Sequence, residues 1–287
     1  MRFGAHVSAA GGVDSLLARA GDLEVEVLQF FLSSPRTWRF RPIAPTSGGS
    51  TMEVAHALGI DRMVVHAPYL INLGSDDAEL VRKSGELLGA IVMAAVHDGL
   101  SAVILHPGSH KGRGFAASLD QWSRAIEPIA RLATPSTQLL LENTAGGGGS
   151  MGRTLEELVT LADRCGGEPG SVGVCIDTQH LFAAGYDLRD ARERDEVASQ
   201  LLGSFGEVRV VHLNDSATEL GSAHDRHANL DEGAIGLDAL MNFVDHEVFR
   251  SADIILEVPG LGEGPRKEDV ALLRNGLASH GLVGPLP

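Results

Sequence analysis

Eight short apolar runs, each closed by a polar break and followed by a helix-like segment, constrain this chain more than any other feature. They are Phe3–Val7, Val25–Phe31, Met63–Ala67, Ala102–His106, Leu139–Glu142, Val172–Ile176, Val208–Leu213 and Ile254–Val258. Val, Ile, Leu and Phe dominate them without clean polar alternation, the pattern of strands buried on both faces of a parallel sheet. Amphipathic segments lie between. Leu80, Leu87, Leu88, Ile91 and Ala95 form an i, i+3/i+4 stripe, and Thr154-Leu155-Glu156-Glu157 reads as a helix start of the capping-box type. Eight strand–helix alternations in 287 residues predict one domain, residues 1–287, folded as a (β/α)8 TIM barrel. The alternative is an open doubly wound sheet, disfavoured because no Gly-rich phosphate-binding turn follows the first run. Gly146–Gly149 and Pro45–Ser50 read as loops.

What ends the runs is more informative than what fills them. His66, His106, Glu142, Asp177, His212 and Glu257 close the third to eighth runs, at successive spacings of 40, 36, 35, 35 and 45 residues. In a parallel barrel all six open onto the C-terminal face, where barrel active sites are built. One His or Asp at a strand end is more often a satisfied polar group than a ligand. Six in succession, with three carboxylates crowded together, call for a cation to offset the charge. His180, three residues beyond Asp177, and the pair Asp225 and His227 extend the set to five His, two Asp and two Glu. Imidazole and carboxylate donors without thiolate suit Zn2+, with Mn2+ or Fe2+ as substitutes. Nine donors exceed one tetrahedral ion and suit two or three ions sharing a bridging carboxylate.

Composition sets the outer bounds. No run approaches the ~18–20 apolar residues of a membrane span, and the opening Met1-Arg2-Phe3-Gly4-Ala5-His6 has no apolar signal core. Cys165 and Cys175 are too few for a disulfide framework and lie away from the mouth. They read as structural thiols of a cytoplasmic protein. Ser8, Ser109 and Thr144 sit in no nucleophile elbow, and Gly146–Gly149 has no Walker-type lysine.

Several motifs carry a resemblance. Gly4-Ala5-His6-Val7-Ser8, Tyr69-Leu70-Ile71-Asn72-Leu73-Gly74, His106-Pro107-Gly108-Ser109-His110, Leu141-Glu142-Asn143-Thr144-Ala145-Gly146, Val174-Cys175-Ile176-Asp177-Thr178, His212-Leu213-Asn214-Asp215 and Asp225-Arg226-His227 resemble endonuclease IV. That family comprises trinuclear-zinc apurinic/apyrimidinic (AP) endonucleases of base-excision repair. The resemblance runs from about Arg2 to Val258 and implies three Zn2+ per chain: one on His66, His106 and Glu142; one on Glu142, Asp177, His212 and Glu257; one on His180, Asp225 and His227. It makes Glu142 the catalytic bridge that positions the nucleophilic water. It implies hydrolysis 5′ to an abasic site, leaving a 3′-hydroxyl, together with removal of 3′-blocking groups. The substrate is double-stranded DNA carrying abasic or 3′-blocked sites, and the enzyme a monomer. Arg36, Tyr69 and Leu70 are assigned to groove insertion and stacking beside the lesion, with Asn72 nearby. An apolar or planar wedge there would replace lost base stacking. Thr37, where the family often has Gln, and the Gly/Ser-rich stretch Ile43–Met52 depart from the pattern.

The remaining histidines divide simply. His6 and His110 are expected to line the mouth without binding metal, and His56, His97, His246 and His280 to lie on helix-like segments. The rival readings are a metal-dependent sugar isomerase or epimerase of the related barrel type and a non-catalytic, metal-bound lesion binder. Neither needs all nine donors. A formal net charge of −15 opposes nucleic acid at first sight. The charge is uneven, however. Gln29–Met52 holds Arg36, Arg39 and Arg41, and Gly99–Leu119 holds Lys111 and Arg113, without one Asp or Glu. Both stretches feed the mouth, so the acidity belongs to the outer helices and leaves a small, directional footprint for DNA.

Overall fold

The computed structural model describes residues 1–40, 50–262 and 264–284. Its strands are β1 (Arg2–His6), β2 (Val27–Phe30), β3 (Arg62–His66), β4 (Ala102–Leu105), β5 (Gln138–Glu142), β6 (Val172–Asp177), β7 (Val210–His212), β8 (Asp215–Ser216), β9 (His227–Ala228) and β10 (Asp253–Leu256). Strands β1 to β7 and β10 pair in parallel and close on themselves, β10 lying between β7 and β1. This is the predicted (β/α)8 barrel. The helices are α1 (Val13–Leu23), α2 (Thr51–Ala57), α3 (Ala78–His97), α4 (Phe115–Ala130), α5 (Leu155–Cys165), α6 (Thr178–Ala184), α7 (Ala191–Phe205), α8 (Leu237–Val244) and α9 (Lys267–Ser279). Among the described residues no helix is long and apolar enough to cross a membrane.

Two apolar layers account for the non-alternating runs. Val27, Val64, Ala102, Ile104, Leu140, Cys175, Val210 and Ile255 are buried in one cluster inside the barrel. Their strand neighbours face outward and pack beneath the helices, where Leu87, Leu88, Ile91 and Ala95 of α3 are buried and Leu80 half-buried. Each Val, Leu or Ile among them contributes about 1.5–3 kcal/mol on full burial. At the N-terminal rim Asp253 is buried against Arg62 at 2.9 Å and Arg2 at 3.7 Å, an ion pair far from the mouth.

The helix starts differ from expectation in one detail. Thr154 caps α5 by accepting the Glu157 N–H, but Glu157 turns its carboxylate to the N–H groups of Gly152 and Arg153 at 3.0 and 3.1 Å. The reciprocal box closes instead at Ser50 and Glu53, at the head of α2. Arg41, and the parts of Pro45–Ser50 and Ile43–Met52 before Ser50, lie outside the described residues.

His66, Glu142, Asp177 and His212 are the last residues of β3, β5, β6 and β7, while His106 and Glu257 follow β4 and β10 directly. All six therefore reach the C-terminal mouth.

Candidate metal centre

Local structure delivers the remaining donors. Asp177 ends β6 and caps α6, its Oδ1 accepting the His180 N–H at 2.8 Å. The cap sets His180 one turn above Asp177, which explains their spacing. His227 returns over the mouth on the antiparallel pair β8–β9, in register with Ser216, and Asp225 lies two residues before it. Buried Asp215 secures that return. Its carboxylate accepts the N–H groups of Ser216, Gly233 and Ile235 at 2.8, 3.1 and 2.8 Å.

The side chains meet in three overlapping groups. Glu142 Oε2 lies 3.1 Å from His66 Nε2 and 3.0 Å from His106 Nε2. Glu142 Oε1 lies 2.9 Å from His212 Nδ1, which is 3.3 Å from Glu257 Oε2 and 3.9 Å from Asp177 Oδ2. His227 Nε2 lies 3.6 Å from Asp177 Oδ2 and 3.3 Å from Asp225 Oδ1, and Asp225 Oδ2 lies 3.3 Å from His180 Nε2. The donor atoms of Asp177, His180 and His227 fall within 4.8 Å of one another, as do those of Glu142, Asp177, His212 and Glu257. Asp225 is the half-exposed outer member.

The rings are oriented as ligands. The far nitrogens of His66, His180 and His227 face the carbonyls of Ala67, Asn143 and Glu257 at 2.7, 2.9 and 3.2 Å. Those nitrogens donate a hydrogen to the carbonyls, which leaves the other nitrogen of each ring as the one that faces the cluster. The inward Nε2 atoms of His180 and His227 are buried without a hydrogen-bond partner. A buried orphan nitrogen is costly, and a divalent ion among these N and O donors would satisfy both. The residues fit a metal.

Titration points the same way. Burial alone would lift the carboxyl of Glu142, yet the imidazoles of His106 and His212 hold it well below the usual range. Burial opposes charge on His180, but Asp177, Asp225 and Glu142 raise it to about 10. Near neutral pH the metal-free protein therefore keeps a proton on His180 that an entering ion must displace. Zn2+ binding to metal-free protein is expected to release at least one proton per chain and to weaken as pH falls. Calorimetry in buffers of different ionisation enthalpy checks this; a heat independent of buffer would contradict it.

Two cavities flank the cluster. One, of about 840 Å3, is lined by His6, Phe31, Arg36, Tyr69 and Glu257; the other, of about 360 Å3, by Tyr69, Leu70, Asn72, His106, Lys111 and Asp225. Tyr69, 60% exposed, stands between them. Arg36, Trp38 and Arg39 are exposed on the loop after β2. Asn72 is buried. Its Oδ1 accepts the N–H groups of Gly74 and Ser109 at 3.0 and 2.9 Å, tying the Tyr69–Leu70 loop to the loop after β4. Gly108 adjoins it at φ 99°, where a Cβ would lie 2.5 Å from that oxygen. His110 Nδ1 accepts the Gly112 and Gly114 N–H groups in the same turn. His56, His97, His246 and His280 bond on the outer surface to Asp61, Asp98, Asp195 and Asp245.

Sequence reasoning missed the amides that brace the centre. Asn214 Nδ2 donates to Asp177 Oδ2 at 2.7 Å, and Asn143 Oδ1 accepts the Asp177 N–H at 2.7 Å. Gln29 is fully buried against His6, His212 and Glu257. A polar residue inside an apolar strand was the available signal. Cys175 lies beneath the cluster, its thiol pushed up to about 12 by burial and so neutral.

A family model described as xylose isomerase-like TIM barrel matches residues 17–276. A probable endonuclease 4 of Methanoculleus marisnigri is 37% identical over 259 residues, covering 89% of this chain and 92% of that protein. The solved endonuclease IV of Thermus thermophilus superposes with a TM-score of 0.79 at 35% identity, over 97% of this chain and 98% of that one. A D-tagatose 3-epimerase-like protein superposes with a TM-score of 0.75 at 18% identity, over 98% of each chain, a likeness of fold alone.

Proposed function

The chain belongs to the endonuclease IV family, and from that membership we propose that it is a metal-dependent AP endonuclease of DNA repair. It hydrolyses the phosphodiester bond 5′ to an abasic site, leaves a 3′-hydroxyl, and clears blocked 3′ ends at the same centre. The observation that carries the reading is the convergence of nine imidazole and carboxylate side chains on one mouth, where the inward Nε2 atoms of His180 and His227 are buried without a hydrogen-bond partner.

His66, His106 and Glu142 would hold one ion, Glu142, Asp177, His212 and Glu257 a second, and His180, Asp225 and His227 a third, with Zn2+ the expected metal. Bound divalent ions supply an activated water at neutral pH and neutralise charge on the phosphate oxygens. Glu142 belongs to two of the groups, so it would be shared between the ions they hold and would face the water those ions activate. The two cavities leave room for the scissile phosphate beside the cluster. Tyr69 stands between the two cavities with Leu70 beside it on the smaller one, and the exposed guanidinium of Arg36 lines the larger; together Tyr69 and Leu70 make an apolar blade. The blade fills the gap left by the missing base, and Arg36 meets the backbone. Asn72 acts from below, holding the blade's loop. The reading takes the chain as one catalytic domain, a monomer of the cytoplasm.

A sugar isomerase shares the barrel, but such chemistry leaves His180, Asp225, His227 and the Arg36 loop without a task. Incubation with a duplex bearing one abasic site separates the readings. Metal-loaded protein should cut once, immediately 5′ to the lesion, leave an end that a polymerase extends, and lose the activity to a chelator. An uncut duplex would defeat the proposal.

A further inference from the structure

Three histidines of the mouth are oriented by main-chain carbonyls, which any residue at those positions would supply. His212 differs, because its Nε2 faces the side-chain Oε1 of Gln29 at 2.8 Å. We propose that Gln29 is a positioning residue for the metal centre, its one amide selecting both the nitrogen of His212 and the oxygen of Glu257 that face the ions. The inference rests on the metal-centre reading above.

The hydrogen bonds fix the assignment by elimination. An ionised carboxylate only accepts, so the Gln29 atom 2.5 Å from Glu257 Oε1 is the amide nitrogen. The same nitrogen lies 2.9 Å from His6 Nδ1. The other end of the amide is then an oxygen, and an oxygen facing His212 Nε2 requires that Nε2 carry the hydrogen. His212 Nδ1, 2.9 Å from Glu142 Oε1 and 3.3 Å from Glu257 Oε2, is left as the nitrogen that would turn to an ion; in the metal-free protein it donates its own hydrogen to Glu142. Glu257 is sorted likewise, with Oε1 engaged by Gln29 and Oε2 turned to the cluster. Flipping the amide would set donor against donor at His212 and oxygen against oxygen at Glu257. The choice is therefore locked. Gln29 stands on β2, while its partners stand at the ends of β7 and β10, so it also ties together separated parts of the barrel rim.

Metal-free wild type, Gln29→Met and Gln29→Glu are titrated with Zn2+ against a competing chromophoric chelator, and histidine 15N spectra are recorded on the same proteins once loaded with Zn2+. Methionine keeps length and burial without hydrogen bonds; glutamate keeps an acceptor for His212. For Gln29→Met the expected result is a loss of ~10–100-fold in affinity at one binding step, the others unchanged, and loss of the hydrogen-bonded Nε2–H shift of His212. Gln29→Glu should keep the hydrogen-bonded shift, and its own loss, from an oxygen set against Glu257 Oε1, should fall at the same step. Equal affinities at every step for wild type and both variants, or an equal loss at every step, would overturn the inference. If Gln29→Met fails to fold, as judged by circular dichroism, Gln29→Glu carries the test: its loss must be confined to one step. Wild type that binds no Zn2+ would instead bring down the metal-centre reading itself.

Discussion

Glu142→Gln should leave a folded barrel whose incision of abasic DNA has fallen by at least ~10^3-fold, beyond the ~10–100-fold typical of residues that only orient a ligand. The side chain changes by one atom, which is why the expected loss is informative. Glu142 directs Oε2 at His66 and His106 and Oε1 at His212, all between 2.9 and 3.1 Å. An amide nitrogen offers no lone pair to a cation. Either rotamer of the new amide therefore faces ring nitrogens with N–H groups, facing both His66 and His106 or facing His212. One of the two ion groups that share Glu142 must fail, and the removal of a buried negative charge weakens the other. Metal analysis by mass spectrometry should show fewer ions per chain than wild type, while circular dichroism stays native. Wild-type incision with a full metal complement would show that Glu142 does not bridge.

The barrel was legible because its signals are local and repeated. Each strand is a short apolar run, and each mouth donor lies at or just beyond the end of one, so the positions of His66, His106, Glu142, Asp177, His212 and Glu257 follow from periodicity and topology together. What stayed hidden depends on contacts between distant parts of the chain. Gln29 looks like an interruption of an apolar run, since its partners His212 and Glu257 lie 183 and 228 residues away. Asn72 sits in a motif whose resemblance points toward the lesion, yet its Oδ1 is spent on Gly74 and Ser109, the latter in the next strand's loop. Glu157 stands at the right offset for a reciprocal cap but is drawn to the turn at Gly152, a competition that local propensity does not register. Asp177 was read as a ligand of one group; the structure also places its carboxylate beside His180 and His227.

That double placement makes Asp177 the second position at which a large effect is expected. Its Oδ1 caps α6 through the His180 N–H, and its Oδ2 accepts Asn214 Nδ2 while facing His227 and His212. Asp177→Ala removes a cap and leaves a buried amide donor unpaired, so the metal-free variant should be destabilised by about 2–4 kcal/mol. Asp177→Asn keeps an oxygen for the cap but sets its amide nitrogen against Asn214 Nδ2, so when metal-free it should melt between Asp177→Ala and wild type. Both variants lose the carboxylate shared by two donor groups, so the two should be equally poor in incision despite their different stabilities. Melting with and without Zn2+ separates the contributions. An ion at a thousand times its dissociation constant adds about 4 kcal/mol to the folded state, and wild type should show that shift while Asp177→Asn shows a much smaller one. An Asn variant that keeps both the zinc-dependent shift and the activity would mean that Asp177 serves the helix cap alone and that the ions are held by the remaining donors.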